Sequence, residues 1–416
     1  MNYKKILGKQ LNHFRSRGFA RKFTPVYRFK ESFPFSKINF DETKDKQHDL
    51  DSGTMIWCTN DYLNMSHNRE VIDAMVSVIK SVGTGSGGTR NISGTTPYHE
   101  DLEKKLARFH QRESALIFTS AYVANQTTLS TLLKKIEGIH VFSDELNHAS
   151  LIEGIKNSRA TCSIFKHNNL EHLEELLSNC DISKPKIIVF ESLYSMDGTE
   201  TDVAQYVKLA KKYNALTYLD EVHAVGLYGE GGRGVAFKNG VSNEIDIING
   251  TLAKGFGQIG GYIVADQVMI DFIRTFAPGF IFTTSMMPSV AAAAKRSIEI
   301  VEKQEKLRSD IFNKASYFRK NLSEIGVPFI DSDSHIIPLL VYSSDDAKSY
   351  SKTLLEKYNS YIQPIFYPTV PKGSARLRIT ITPKHTYEDI DYLISALDRI
   401  WKKKRLKIKE SNYLHV

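Results

Sequence analysis

Asp220 and Lys254 carry opposite charges and each closes an apolar run, LTYLDEVHAVG (216–226) and IDIINGTLAK (245–254). Lys254 is the only charged residue in NGTLAKGFGQIGG (249–261), among glycine, alanine and threonine. A lysine buried among small side chains loses its proton more readily and becomes a nucleophile toward carbonyl carbon. A carboxylate at the end of a buried strand is costly to desolvate unless something cationic meets it. Commonplace readings compete: Asp220 as a helix cap, Lys254 as a solvated loop residue. Two imidazoles accompany the pair: His223, just after Asp220, and His148 in SDELNHAS (143–150), which alone reads as a structural histidine. A fourth signal is GTGSGGTRNISGT (83–95), whose glycines let backbone approach a ligand closely. It is not the GxGxxG dinucleotide-binding fingerprint, because a helix-like stretch rather than a strand precedes it, and no GxxxxGK[ST] loop occurs, so nucleoside triphosphate chemistry is not indicated.

These residues need a scaffold that gathers strand ends. ALIFTSAY (115–122), HVFSDE (140–145) and KIIVFES (186–192) join the two runs above as short apolar segments ending in polar or small residues. Amphipathic stretches such as VAQYVKLAKKYNA (203–215) lie between several of them. The alternation predicts an α/β domain with a mainly parallel sheet, where chemistry collects at the carboxyl ends of the strands. A polar excursion from Lys37 to Thr54 separates this body from an N-terminal helical piece. The expected division is 1–54, an N-terminal helical and extended segment; 55–295, a large α/β domain; 296–404, a smaller α+β domain; and 405–416, a basic tail.

The chain has 416 residues, 41% of them hydrophobic and 11% aromatic, which is ample for a large core. The apolar runs are too short to span a membrane. Three cysteines without CxxC spacing, and no histidine cluster, indicate neither a disulfide framework nor zinc. The net charge of +8 is concentrated at the ends: residues 1–30 carry lysine and arginine but no acid, and WKKKRLKIKE (401–410) is a second basic run. No helix-turn-helix, zinc-finger or RNP pattern accompanies it, so solvated helix faces or attraction of an anionic substrate explain it better than nucleic acid does.

A lysine, a carboxylate, imidazoles and glycine-rich loops together suit pyridoxal 5'-phosphate. Its aldehyde takes a lysine amine, its pyridine nitrogen a carboxylate, and its phosphate backbone N–H groups and hydroxyls. The motifs CTNDYL, GSGGTRNISGT, SDELNHASLIEGI, YSMDG, DEVHAVGLYG, NGTLAKGFGQIGGYI, PGFIFTTS and YPTVPKGSARLR then occur in an order that resembles the α-oxoamine synthase family from about residue 1 to 400. TRNISG resembles the branch that condenses glycine with succinyl-CoA to 5-aminolevulinate, CoA and CO2.

The resemblance implies a fold-type I pyridoxal-phosphate transferase: a large domain with a mainly parallel seven-stranded sheet, a smaller α+β C-terminal domain and an N-terminal helical segment. It implies that Lys254 binds the cofactor and takes the amino-acid proton, that Asp220 meets the pyridine nitrogen, that His148 stacks on the ring and that His223 lies near the ring hydroxyl. Ser120, Ala121, Tyr122, Val123, Glu191, Ser195 and Thr251 become further cofactor contacts, and Thr283 and Thr284 phosphate ligands reaching from a second subunit, so a homodimer with shared sites is expected. Arg378 corresponds to the clamp on the amino-acid carboxylate, a task suited to its bidentate fork. Arg21, Asn60, Thr89, Asn91, Ile92, Ser143 and Thr369 complete the expected substrate contacts.

Some positions depart from the family pattern: Phe19 and Ala20 before Arg21, Asn64 and Gly255 where glycine and alanine are usual, and Gln126 where aspartate is common. A related synthase using another acyl-CoA or amino acid, and a non-catalytic binding protein on the same fold, are the rival readings. The family register starts almost at Met1, so a cytoplasmic enzyme is expected. Cys58, Cys162 and Cys180 precede Thr, Ser and Asp, giving no Cys-Pro haem-responsive motif.

Overall fold

A computed structural model describes residues 1–20, 23–38 and 53–413, with side chains described to residue 403. Seven strands form the main sheet: β1 (Ser114–Phe118), β2 (His140–Asp144), β3 (Thr161–Phe165), β4 (Lys186–Glu191), β5 (Ala215–Asp220), β6 (Ile247–Thr251) and β7 (Gly261–Ala265). Their order is β1-β7-β6-β5-β4-β2-β3. Pairing is parallel from β3 through β2, β4, β5 and β6, and β7 runs antiparallel between β6 and β1. The mainly parallel sheet expected from the alternation is therefore present. Strands β4, β6 and β7 are buried along their whole length, which is why they read as continuous apolar runs.

The expected strand after residue 114 stops at Phe118, because Ser120 caps helix Ala121–Lys135, its side chain accepting from Val123 N at 3.1 Å. Gly261 lets that helix start lie against β7: a Cβ there would meet Ala121 N at 2.2 Å.

The chain forms two compact units whose boundaries differ from those read in the sequence. One comprises Asn60–Ser195 and Thr199–Ser309; the other, the described residues among Met1–Thr59, Met196–Gly198 and Asp310–Val416. The N-terminal segment is thus not separate. Strand Thr54–Ile56 pairs antiparallel with Phe35–Ile38 and parallel with Ser360–Tyr361. Trp57 stacks on His385 at 4.2 Å, and Met55 and Trp57 join the same apolar core as Phe318, Leu339, Leu377 and Trp401. The boundary expected near residue 295 would cut helix Pro288–Lys303, whose face from Pro288 to Val301 is buried in the sheet unit; the division falls instead between Ser309 and Asp310, inside helix Glu305–Glu324. The second unit also has a three-stranded antiparallel sheet of Ile336–Tyr342, Ala375–Thr380 and Pro364–Ile365. Among the described residues, no helix is long and apolar enough to cross a membrane.

Candidate active site

A cavity of about 210 Å³ in the sheet unit is lined by Ser120, Ala121, Tyr122, Asn125, His148, Ser150, Glu191, Asp220, Val222, His223, Thr251, Ala253, Lys254, Ile259 and Gly260. It brings together the lysine, carboxylate and imidazoles singled out by type and spacing. Asp220 ends β5 and is 3% exposed. Its Oδ1 accepts from Val222 N at 2.8 Å and its Oδ2 from Asn125 Nδ2 at 2.6 Å. Lys254 lies beyond the end of β6, not on the strand; the turn Lys254–Gly257, closed by Gly257 N donating to Lys254 O at 3.0 Å, carries it into the cavity.

His148 caps helix Ala149–Ser158, and its backbone N–H donates to Glu191 Oε1 at 2.6 Å. Burial holds its imidazole below the ordinary value; the charge of Asp220 opposes this and that of Lys254 reinforces it. Burial, then the nearby Asp220 charge, pushes the Glu191 carboxyl well above the usual carboxylate range. His223 Nδ1 lies 2.8 Å from the hydroxyl of Tyr62. Thr251 Oγ1 donates to Gly260 O at 3.2 Å and accepts from Ala253 N at 3.1 Å, bracing the turn around Lys254.

The residues present fit pyridoxal 5'-phosphate. A carboxylate and an amine line one cavity, and Ser120, Ala121 and Tyr122, at the start of helix Ala121–Lys135, line it too, a helix N-terminus being where an anionic phosphate is favoured.

The remaining expected site residues lie elsewhere. Val123, Ser143 and Ser195 do not line this cavity; Ser143 is buried and its hydroxyl accepts from Asn147 Nδ2 at 2.9 Å. Thr283 and Thr284 line a smaller cavity with Arg90 and Phe280. Thr89 pairs with Thr284 in an isolated bridge, and Ser285 bonds to Gly88 and Gly94, so the glycine-rich loop and the TTS segment form one piece. Gly94 is required there, since a Cβ would meet Gly88 O at 2.2 Å. Asn91 accepts from Thr89 Oγ1 at 2.6 Å, and Ile92 is 68% exposed. Asn60 belongs to the sheet unit, with its Oδ1 3.5 Å from the Tyr62 hydroxyl.

Arg378 and Thr369 belong to the other unit. Arg378 is buried in strand Ala375–Thr380, while Thr369 is exposed. Burial, then the charges of Arg378 and Arg319, hold the His335 imidazole well below its ordinary value. Arg21 lies outside the described residues. Of the departures, Asn64 adopts φ 56°, ψ 32°, a left-handed conformation that asparagine tolerates better than most residues. Phe19 packs against Phe14 and Tyr367, with ring centroids 5.7 and 5.0 Å away.

Sequence reasoning did not assign roles to Tyr62, Asn125 or Ser150. Asn125 carried a faint signal: it is the first amide of the helix that Ser120 caps, five residues beyond the cap.

Residues 52–397 match the family described as Aminotransferase class I and II, and the chain belongs to that class. It is 44% identical over 414 residues to the 5-aminolevulinate synthase of Rhodobacter capsulatus (99% of this chain, 100% of the relative). The corresponding figures are 46% over 411 residues for that of Paracoccus denitrificans (98% of each) and 45% over 413 residues for that of Rickettsia prowazekii (99% and 97%). Within the class, the chain belongs to the 5-aminolevulinate synthase family. Among solved structures it is similar to a variant serine palmitoyltransferase of S. paucimobilis with a bound PLP–myriocin aldimine, at TM-score 0.87 and 26% identity, covering 97% of this chain and 99% of that one.

Proposed function

We propose that this chain is a pyridoxal 5'-phosphate-dependent acyltransferase that condenses glycine with succinyl-CoA, yielding 5-aminolevulinate, CoA and CO2. The observation that carries the reading is one cavity in which Asp220, Lys254, His148 and His223 converge, in a chain of the 5-aminolevulinate synthase family. When bound, the cofactor supplies an electron sink for the pair left at the amino acid's α-carbon.

The chain's own residues do the rest. Ser120 and the N–H groups of Ala121 and Tyr122 hold the phosphate. With the cofactor bound, Asp220 would keep the pyridine nitrogen protonated, His148 would cover the ring and His223, itself held by Tyr62, would meet the ring hydroxyl. Glu191 and Thr251 support this arrangement, with Val123 and Ser195 as the outer contacts. Lys254 Nζ would hold the cofactor aldehyde and, released as a free amine once the amine of glycine has taken its place there, would accept the proton from the α-carbon of glycine. Arg378 clamps the glycine carboxylate, with Asn60, Ser143 and Thr369 as further contacts. Arg21, Thr89, Asn91 and Ile92 receive the succinyl end.

A homodimer with shared sites completes the proposal, and given the bridge of Thr89 to Thr284, whichever subunit contributes Thr283 and Thr284 to a phosphate also brings Thr89, Asn91 and Ile92. The free Cys58, Cys162 and Cys180 fit a reducing, cytoplasmic setting.

Aminoketone formation from glycine with succinyl-, acetyl- and octanoyl-CoA, in the native protein and in Arg21→Ala, tests the reading. A succinyl-CoA preference that is lost in the variant supports it. Equal or better use of the other thioesters retains the cofactor chemistry and refutes the substrate.

A further inference from the structure

Asn125 lies at the centre of a buried chain of hydrogen bonds that touches two of the groups facing the cofactor cavity. Its Nδ2 donates to Asp220 Oδ2 at 2.6 Å and to Ser150 Oγ at 3.0 Å, and its Oδ1 accepts from the Tyr218 hydroxyl at 2.8 Å. Asn125 is 1% exposed; Ser150 and Tyr218 are fully buried. The amide can adopt only this orientation, since a carboxylate accepts and does not donate. Both Nδ2 protons and the carbonyl oxygen are thereby engaged.

The chain continues to His148. Ser150 N donates to His148 Nδ1 at 3.3 Å, which makes that nitrogen an acceptor. Ser150 Oγ, already accepting from Asn125, lies 2.8 Å from the same nitrogen and donates its one proton there. The imidazole proton therefore resides on Nε2, and every bond from Tyr218 through Asn125 and Ser150 to His148 points the same way. Such chains polarise one another in a low-dielectric interior.

We propose that Asn125 is a positioning residue for the reaction assigned above: it fixes the Asp220 carboxylate for the pyridine nitrogen and, through Ser150, holds His148 in the neutral Nε2–H tautomer on the ring face. The proposal rests on the cofactor assignment. The depressed imidazole of His148, a consequence first of burial, agrees with a ring held neutral.

The logic separates two branches. Removing Asn125 loosens Asp220, which keeps its bond from Val222 N, and through Ser150 also His148, whereas removing the Ser150 hydroxyl loosens His148, which keeps its bond from Ser150 N. Tyr218→Phe loosens the anchor and acts in the same direction as Asn125→Ala, more weakly. A filler of the helix–sheet interface would affect stability without this pattern.

The test compares the native holoenzyme with Asn125→Ala, Ser150→Ala and Tyr218→Phe. The pH titration of the bound cofactor's visible absorbance reports Asp220, and ¹⁵N shifts of the His148 ring, assigned with His148→Asn, report the tautomer. Asn125→Ala is expected to move the titration midpoint by about one pH unit and to weaken pyridoxal 5'-phosphate binding about tenfold, in line with loss of a hydrogen bond to a charged group. Ser150→Ala should leave the absorbance titration in place and shift the His148 nitrogens toward a tautomeric mixture. A folded Asn125→Ala protein with an unmoved titration overturns the proposal, even if its thermal midpoint falls. If that variant does not fold, unmoved His148 shifts in Ser150→Ala overturn it. The ring shifts are also read on cofactor-free native protein: a native protein that takes up no pyridoxal 5'-phosphate refutes the cofactor assignment, while an Nδ1–H tautomer there refutes this proposal separately.

Discussion

The two units hold their buried charge in different ways. In the sheet unit, Asp220 is gripped by the Val222 N–H and the Asn125 amide, both fixed by a strand end and a helix, and it shares one cavity with Lys254. In the other unit two buried cations are arginines on one short strand. Arg376 donates to Ser374 O and Met196 O, and Arg378 lies one strand register from it, opposite Pro338. The first arrangement suits a group that must keep one geometry while charge develops beside it. The second sets two guanidinium groups, whose planar fork suits bidentate recognition of a carboxylate, on one strand. The comparison teaches that the groups assigned to the cofactor lie together in one unit, whereas Arg378, assigned to the glycine carboxylate, belongs to the other.

Exchanging the two charges separates their effects. Asp220→Asn removes the charge but not the shape, and should lower kcat about a hundredfold or more while changing glycine affinity little, as measured by turnover beside an equilibrium titration with glycine. Normal turnover would contradict the role of Asp220. Arg378→Ala should act on the opposite parameter, raising the glycine KM about tenfold or more with a smaller change in kcat, read from steady-state kinetics.

The acid limb of stability distinguishes the units less sharply. Burial pushes the His385 imidazole down to about 3 in the second unit and the His110 imidazole down to about 3 in the sheet unit. A folded value below the unfolded one gives stability that is present above about pH 6.5 and lost as the pH falls toward 3. His385→Gln should flatten this loss, so that the change in thermal midpoint between pH 7 and pH 4 is smaller than in the native protein; an unchanged slope would contradict it. The smallest expected effect is at Phe19. Removing its ring contacts with Phe14 and Tyr367 in Phe19→Ala should cost about 1 kcal/mol in chemical denaturation.

Much of the site was legible because the chemistry lies where periodicity changes. Asp220 closes an apolar strand, and Lys254 follows another through a glycine-rich turn. Other features left weaker traces. Strand β3 is an edge strand with largely exposed residues, TCSIF, so no apolar run marks it; β7 is five residues long and merges with the glycine stretch before it. The joining of the N-terminal segment to the C-terminal unit depends on strand pairing between residues 54–56 and 360–361, a contact no local pattern encodes. Tyr62, Asn125 and Ser150 were missed for a related reason: each makes a hydrogen bond to a residue distant in sequence, Ser150 to Asn125.

The central claim is that Lys254 is the amine that binds the cofactor beside Asp220. Reducing the protein loaded with pyridoxal 5'-phosphate with borohydride and mapping the pyridoxyl group by peptide mass spectrometry tests it most directly. The account predicts the label on Lys254 and its loss in Lys254→Ala; a label on another lysine, or none, would contradict it.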